Sequence, residues 1–273
     1  MKIGIVSLGL IGGSLFKCLT QTEHEIYAVT RNADTINKAK VLSQHVSDDY
    51  KILKDCDVVF VSSPISKTLD ILGELEDIVS PKCLVLDCAS VKEFVMKKER
   101  PYKFIGSHPM AGTEFTGYDS SFKELFVGAK WVLTPSKKIS SDDIKMAEEI
   151  IKLTGAIPII TNAKEHDIAV ALISHMPLIL SQALFNSVKD NDLALKLASS
   201  GFRDMTRLAT SNLDMAEDMK KYNARNIEAA FDNLAVSINE IKNTKDLKLL
   251  TDIKNMRSNM YSNGGKNILQ EKG

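Results

Sequence analysis

The chain has 273 residues, 44% of them hydrophobic and 26% charged, which suits a globular protein of two ordinary domains. Its 35 Lys plus Arg balance 35 Asp plus Glu, which argues against a nucleic-acid binder, since those carry a basic excess or stripe. Gly4, Gly9, Gly12 and Gly13 interrupt the first apolar run, so no signal peptide is expected, and no stretch reads as a membrane span of about 20 apolar residues.

Through the first half, β-rich runs alternate with helical ones. Lys2–Val6 reads as a strand, 12–20 as a helix, 25–30 as a strand and 35–40 as a helix. Then come a strand at 57–62, a helix at 68–78, a strand at 83–87 and a short helix at 91–98. Residues 102–107 and 130–134 read as strands, Ser141–Leu153 as a helix with Ser141 as its N-cap, and Ile157–Ile160 as the last strand. This alternation predicts an α/β domain over residues 1–162, a Rossmann-type doubly wound, mostly parallel sheet. Beyond it the β signal ends. Residues 163–188, 193–197, 214–243 and 245–258 carry helical spacing, with Ile227, Phe231, Leu234, Ile238 and Ile241 along one face. Residues 163–273 are therefore expected to form an all-helical domain. Its helices are too apolar for a two-layer monomer, which points to a homodimer, and its polar end, 262–273, reads as frayed. Cys18, Cys56, Cys83 and Cys88 form no C-x-x-C pair and have no histidine at ligand spacing, so free thiols in a reducing cytosol, and no metal, are expected.

Three segments carry chemistry. Ser7-Leu8-Gly9-Leu10-Ile11-Gly12 joins the first strand to the first helix like the dinucleotide fingerprint G-x-G-x-x-G, with Ser7 in place of the first glycine. Gly9, Leu10, Ile11 and Gly12 are the expected cofactor contacts; the competing reading is a glycine-rich helix entry with no ligand. At the second strand's end, Thr30 replaces the usual ribose-binding acid and Arg31 follows. Without repulsion from a carboxylate, a guanidinium can pair with a 2′-phosphate, which favours NADP over NAD. The alternative is an exposed arginine at a strand end. Ser62, Ser63 and Pro64 close the next strand, either beside the nicotinamide ribose or as ordinary turn formers. Finally, Gly106-Ser107-His108-Pro109-Met110-Ala111-Gly112-Thr113-Glu114 reads as a loop presenting one histidine to a ligand. A histidine capping a turn is the competing reading.

Asp87-Cys88-Ala89-Ser90-Val91-Lys92, the His108 segment, Glu165-His166-Asp167, Ile173-Ser174-His175-Met176-Pro177 and Gly201-Phe202-Arg203-Asp204-Met205-Thr206-Arg207 follow in that order. Together they resemble the prephenate/arogenate dehydrogenases of tyrosine biosynthesis, from Lys2 to about Lys242. The resemblance implies a cytoplasmic, homodimeric, monofunctional enzyme that uses NAD(P) to decarboxylate prephenate oxidatively, with arogenate as the alternative substrate. It implies that His108 receives or polarises the C4 hydroxyl proton and that Ser90 bonds the same hydroxyl. Arg207 then binds a substrate carboxylate, with His175 and Gly201 on the substrate side. His166 beside Asp167 reads as a helix cap. This chain departs from the family at Leu178, where many members have a further histidine, and at Ala216, where many have a tryptophan. Two other readings are a β-hydroxyacid dehydrogenase or imine reductase, which shares the layout, and a cofactor sensor without catalysis.

Overall fold

Val-Val-Phe-Val at 58–61 and Leu-Val-Leu-Asp at 84–87 are buried at every position. Such unbroken burial is what parallel strands covered on both faces require. In the computed structural model, which describes residues 1–262, these runs are β4 (Val58–Val61) and β5 (Leu84–Asp87) of an eight-stranded sheet. The other strands are β1 (Lys2–Val6), β2 (Glu25–Val29), β3 (Val46–Ser47), β6 (Lys103–Pro109), β7 (Lys130–Pro135) and β8 (Ile157–Ile160). Their spatial order is β3-β2-β1-β4-β5-β6-β7-β8, parallel except where β7 runs against β6. The direction of winding reverses between β1 and β4, and ligands of such sheets bind at the strands' carboxyl ends there.

Helices α1 (Leu10–Leu19), α2 (Ala33–Ala39), α3 (Ile65–Glu74), α4 (Glu93–Met96) and α5 (Ser141–Leu153) cover the sheet. Strand side chains alternate between two cores. Ile5, Phe60 and Leu86 pack with Phe16 of α1 and Ile151 of α5. Val59, Val61 and Val85 pack with Leu72 of α3 and Val95 of α4. Phe60 meets fully buried Trp131 edge-on at 6.1 Å, and its truncation to alanine should cost about 3–5 kcal/mol.

The second half is helical: α6 (Ala163–Val170), α7 (Met176–Val188), α8 (Asp192–Leu197), α9 (Ser200–Thr206), α10 (Leu213–Tyr222), α11 (Ala224–Asn243) and α12 (Leu247–Ser262). Asparagine side chains cap α2, α6, α8 and α10 by accepting a backbone N–H in the first turn. A π-helical turn, Ala171–His175, joins α6 to α7 without a break.

Several expectations are corrected. Strand β6 runs on through Pro109, so His108 sits on a strand opposite Val132 rather than in a loop; proline is tolerated there because it ends the ladder. The cap of α5 is Ser140, in a reciprocal capping box with Asp143, not Ser141. Residues 214–243 are two helices, because Asn223 leaves helical geometry (φ −124°, ψ 22°) and turns its side chain inward. Strand β3 and helix α9 were not foreseen. Ala163–Val188 is, against expectation, long and apolar enough to cross a membrane by length and composition. It nevertheless buries His166, Asp167 and His175 against its neighbours. The frayed segment expected at 262–273 lies, apart from Ser262, outside the described residues.

Candidate active site

Between Val6 and Leu10 only three residues turn the chain from β1 into α1. Ser7 does so at φ 70°, in the left-handed region that glycine enters without strain. Its N–H donates to Val29 O (2.8 Å), and its carbonyl accepts from Ser62 Oγ (2.9 Å), so the strained turn is held from both sides. A Cβ on Gly12 would lie 2.1 Å from Ser7 O, so a side chain there would push α1 off the sheet. At Gly9 a Cβ would meet nothing within 4 Å. That open face lies at the start of α1, where the N–H groups of the first turn and the helix dipole favour phosphate. These residues fit a dinucleotide's pyrophosphate.

Thr30 is buried, and exposed Arg31 lies 3.9 Å from Glu74 Oε1. The hydroxyl of Ser62 is spent on Val6 O (2.8 Å) and Ser7 O, and that of Ser63 on Thr68 Oγ1 (3.0 Å). Both serines therefore brace the glycine turn and the entry to α3, where Pro64 stands at the N-cap.

His108 Nδ1 lies 2.9 Å from His166 Nε2, and His166 Nδ1 lies 2.7 Å from Asp167 Oδ1. The Asp167 carboxylate also accepts the backbone N–H groups of Lys92 (2.7 Å) and Glu93 (2.8 Å). As an acceptor it holds a proton on His166 Nδ1, and in the neutral ring Nε2 is then a lone pair. His108 must then donate from Nδ1, and its own Nε2 is left as a free base. Burial, with the neighbouring His166 and Lys92, pushes the His108 pKa well below 6.5. The imidazole is neutral at cellular pH, which is the state a proton acceptor needs.

Beneath this chain of groups lies a buried ion pair. Lys92 and Asp87 are completely buried and paired, and Lys92 Nζ also donates to Ser107 O at 2.6 Å. Asp87 Oδ2 accepts Ala89 N–H (2.9 Å) and its Oδ1 accepts Ser107 N–H (3.0 Å), locking the turn after β5 to β6. This turn carries Ser90, whose hydroxyl makes no hydrogen bond among the described residues. Neighbouring strands β5 and β6 thus bring Ser90 and His108 to one edge of the sheet. His166, Asp167, Lys92 and Asp87 were missed as members of this network. Two ionisable residues side by side, His166-Asp167, were the available signal.

Arg207 opens a short turn after α9; its side chain is exposed and has no carboxylate partner among the described residues. Gly201 is exposed in α9, and a Cβ there would meet nothing within 4 Å. Buried His175 accepts at Nδ1 from Asn223 Nδ2 (3.1 Å). Leu178 and Ala216, the two departures, pack into one buried apolar cluster with Met219 and Leu208, next to Arg207 in sequence. The four cysteines are free; Cys56 and Cys83 are buried, and burial pushes each thiol up to about 12.

The fold and this edge define a nicotinamide-nucleotide-dependent dehydrogenase, with a histidine of the sheet edge hydrogen-bonded to one of the helical half. Residues 18–160 match the nucleotide-binding domain of prephenate dehydrogenase, and residues 162–253 match its dimerization domain. The chain belongs to the prephenate dehydrogenase family, whose members are NAD-dependent oxidoreductases. It is 28% identical to the prephenate dehydrogenase of Bacillus subtilis over 87% of this chain and 68% of that protein. Among solved structures it resembles Synechocystis arogenate dehydrogenase (TM-score 0.82, 32% identity, 96% and 99% of the two chains covered). It also resembles prephenate dehydrogenase from A. aeolicus in complex with hydroxyphenyl propionate and NAD+ (TM-score 0.84, 28% identity, 95% and 98% covered).

Proposed function

We propose that this chain is a prephenate dehydrogenase in which His108 takes the proton of the substrate's C4 hydroxyl. The observation that carries the reading is the hydrogen-bonded series Asp167–His166–His108, which leaves His108 Nε2 as an unprotonated base. When bound, the nicotinamide supplies the hydride acceptor, and loss of carbon dioxide from C1 aromatises the ring. The protein's part is to hold the ring and manage one proton. As His108 gains that proton it becomes a cation, and its Nδ1–H leans on His166, which in turn leans on the buried Asp167. Ser90, with its hydroxyl uncommitted, bonds the same C4 oxygen. Arg207, with no carboxylate partner among the described residues, grips a substrate carboxylate in bidentate fashion, with His175 and Gly201 lining the same side.

Gly9, Leu10, Ile11 and Gly12 hold the pyrophosphate, and Pro64 borders the nicotinamide end. Exposed Arg31 with no acid at Thr30 supports NADP over NAD, although Glu74 at 3.9 Å shares part of that charge. The functional protein is a homodimer of the helical domains: Ile168, Leu172 and Ile173 on the long rod and Val236, Ile238 and Ile241 on α11 expose apolar surface. Arogenate is the second reading. It rests on the apolar Leu178–Ala216 cluster, which offers no polar partner of its own to either a keto or an amino group.

Nicotinamide reduction measured with prephenate and arogenate, each crossed against NAD and NADP, tests these points together. Turnover of neither substrate would defeat the functional reading, and a clear preference for NAD would remove the role given to Arg31.

A further inference from the structure

Asn223 interrupts what the sequence reads as one continuous helix. Its side chain is 3% exposed and spans two helical segments. Its Nδ2 donates to the backbone carbonyl of Asp167 (2.8 Å) and to His175 Nδ1 (3.1 Å), while Asn226 Nδ2 donates to its Oδ1 (2.7 Å). A carbonyl oxygen only accepts, so the amide orientation is fixed, and both amino hydrogens are spent. His175 Nδ1 must then be a lone pair, which puts the ring proton on Nε2. That Nε2 is buried and has no hydrogen-bond partner among the described residues. Burying a donor without a partner costs free energy, and native structures rarely leave one unexplained. The π turn that carries His175 is itself a rare feature often found at functional sites.

We infer that Asn223 is a positioning residue of the substrate site: it holds His175 as an Nε2–H donor, kept unpaired for an acceptor oxygen of the anionic substrate. The inference rests on the proposed function, because it assigns a job to His175 within that site. Burial pushes the His175 pKa down to about 4, so the ring is neutral at pH 7 and its single proton can occupy only one nitrogen. Through Asp167 O, the same asparagine also steadies the helix turn that carries the His166–Asp167 pair.

Ring-nitrogen NMR on 15N-histidine protein, with the His175 signals identified by their loss in His175→Gln, reads the tautomer directly. Neutral Nε2–H is expected in the unmodified protein, and hydroxyphenyl propionate should shift that nitrogen. A ring protonated on Nδ1 at pH 7 would overturn the inference, and needs no variant to fold. Asn223→Asp, an acceptor at the same place, should switch the proton to Nδ1; an unswitched tautomer in a folded variant also overturns it. Kinetically, Asn223→Ala should raise KM for prephenate about tenfold or more, the worth of a hydrogen bond to a charged group, with KM for the cofactor unchanged. In a His175→Ala background it should add nothing to the rise in KM for prephenate. Additive rises in KM would mean that Asn223 does not act through His175 and would overturn the inference. An absence of any turnover would count against the proposed function, while the tautomer still decides this inference by itself.

Discussion

Replacing His166 by leucine tests whether the three-residue series works in the reaction. His166 is buried at 2% exposure, and leucine is close to it in volume, so the loss falls on the hydrogen bonds rather than on packing. Asp167 keeps two backbone N–H donors, Lys92 and Glu93, and stays solvated by the protein. What disappears is the acceptor 2.9 Å from His108 Nδ1. In the resting enzyme His108 is neutral, so that bond is worth little net. If His108 takes the substrate's proton, it becomes a cation in the transition state, and a hydrogen bond to a charged group is worth about 1.5–3 kcal/mol. At 1.36 kcal/mol per decade this corresponds to a kcat loss of roughly 10- to 150-fold, with KM for the substrate nearly unchanged. Steady-state absorbance of reduced nicotinamide measures both constants. His166→Gln, whose amide oxygen can replace the lost acceptor, should recover part of the rate. A leucine variant within twofold of the parent would refute the reasoning and leave His166 a packing residue.

Other outcomes follow from the same geometry. His108→Asn should lower kcat by about 10²–10⁴-fold, the usual value of a positioned base, while cofactor binding by fluorescence is retained. Arg207→Ala should chiefly raise the substrate KM, because its guanidinium has no carboxylate partner to lose among the described residues; an unchanged KM would remove it as the carboxylate anchor. Acid should destabilise the fold through His175. Its folded pKa of about 4 lies below the 6.5 of an unfolded histidine, so protons bind the unfolded chain first as pH falls. The stability is complete above about pH 6.5 and is lost progressively toward pH 4, in total roughly 3 kcal/mol at 1.36 kcal/mol per unit. His108, also depressed, acts in the same direction. Urea midpoints from pH 7.5 to 4.5 should therefore fall less steeply in His175→Gln than in the parent protein. Parallel profiles would contradict this.

Local signals were enough for much of the architecture. Strand and helix periods differ, so the alternation before residue 162 and its end after it are written in the order of apolar residues. The glycine turn was legible because its function is steric: Gly12 has no room for a Cβ, and that demand leaves a mark in one short segment. His108 stood out for its neighbours in sequence, though as a loop residue, because pairing of β6 with β7 depends on a partner more than twenty residues away. The long-range partners in and around this network were hidden for the same reason. His166 lies 58 positions from His108, Asp167 lies 75 from Lys92, and Asn223 lies 48 from His175. A hydrogen bond between residues so far apart leaves no periodic trace, since its specificity comes from tertiary packing, between the two halves of the chain for His166 and Asp167 and within the helical half for Asn223. Local sequence carried most of the elements and singled out His108 as the candidate imidazole. The protonation state of that imidazole, and the unpaired donor on His175, exist only once burial removes water and packing chooses the partners.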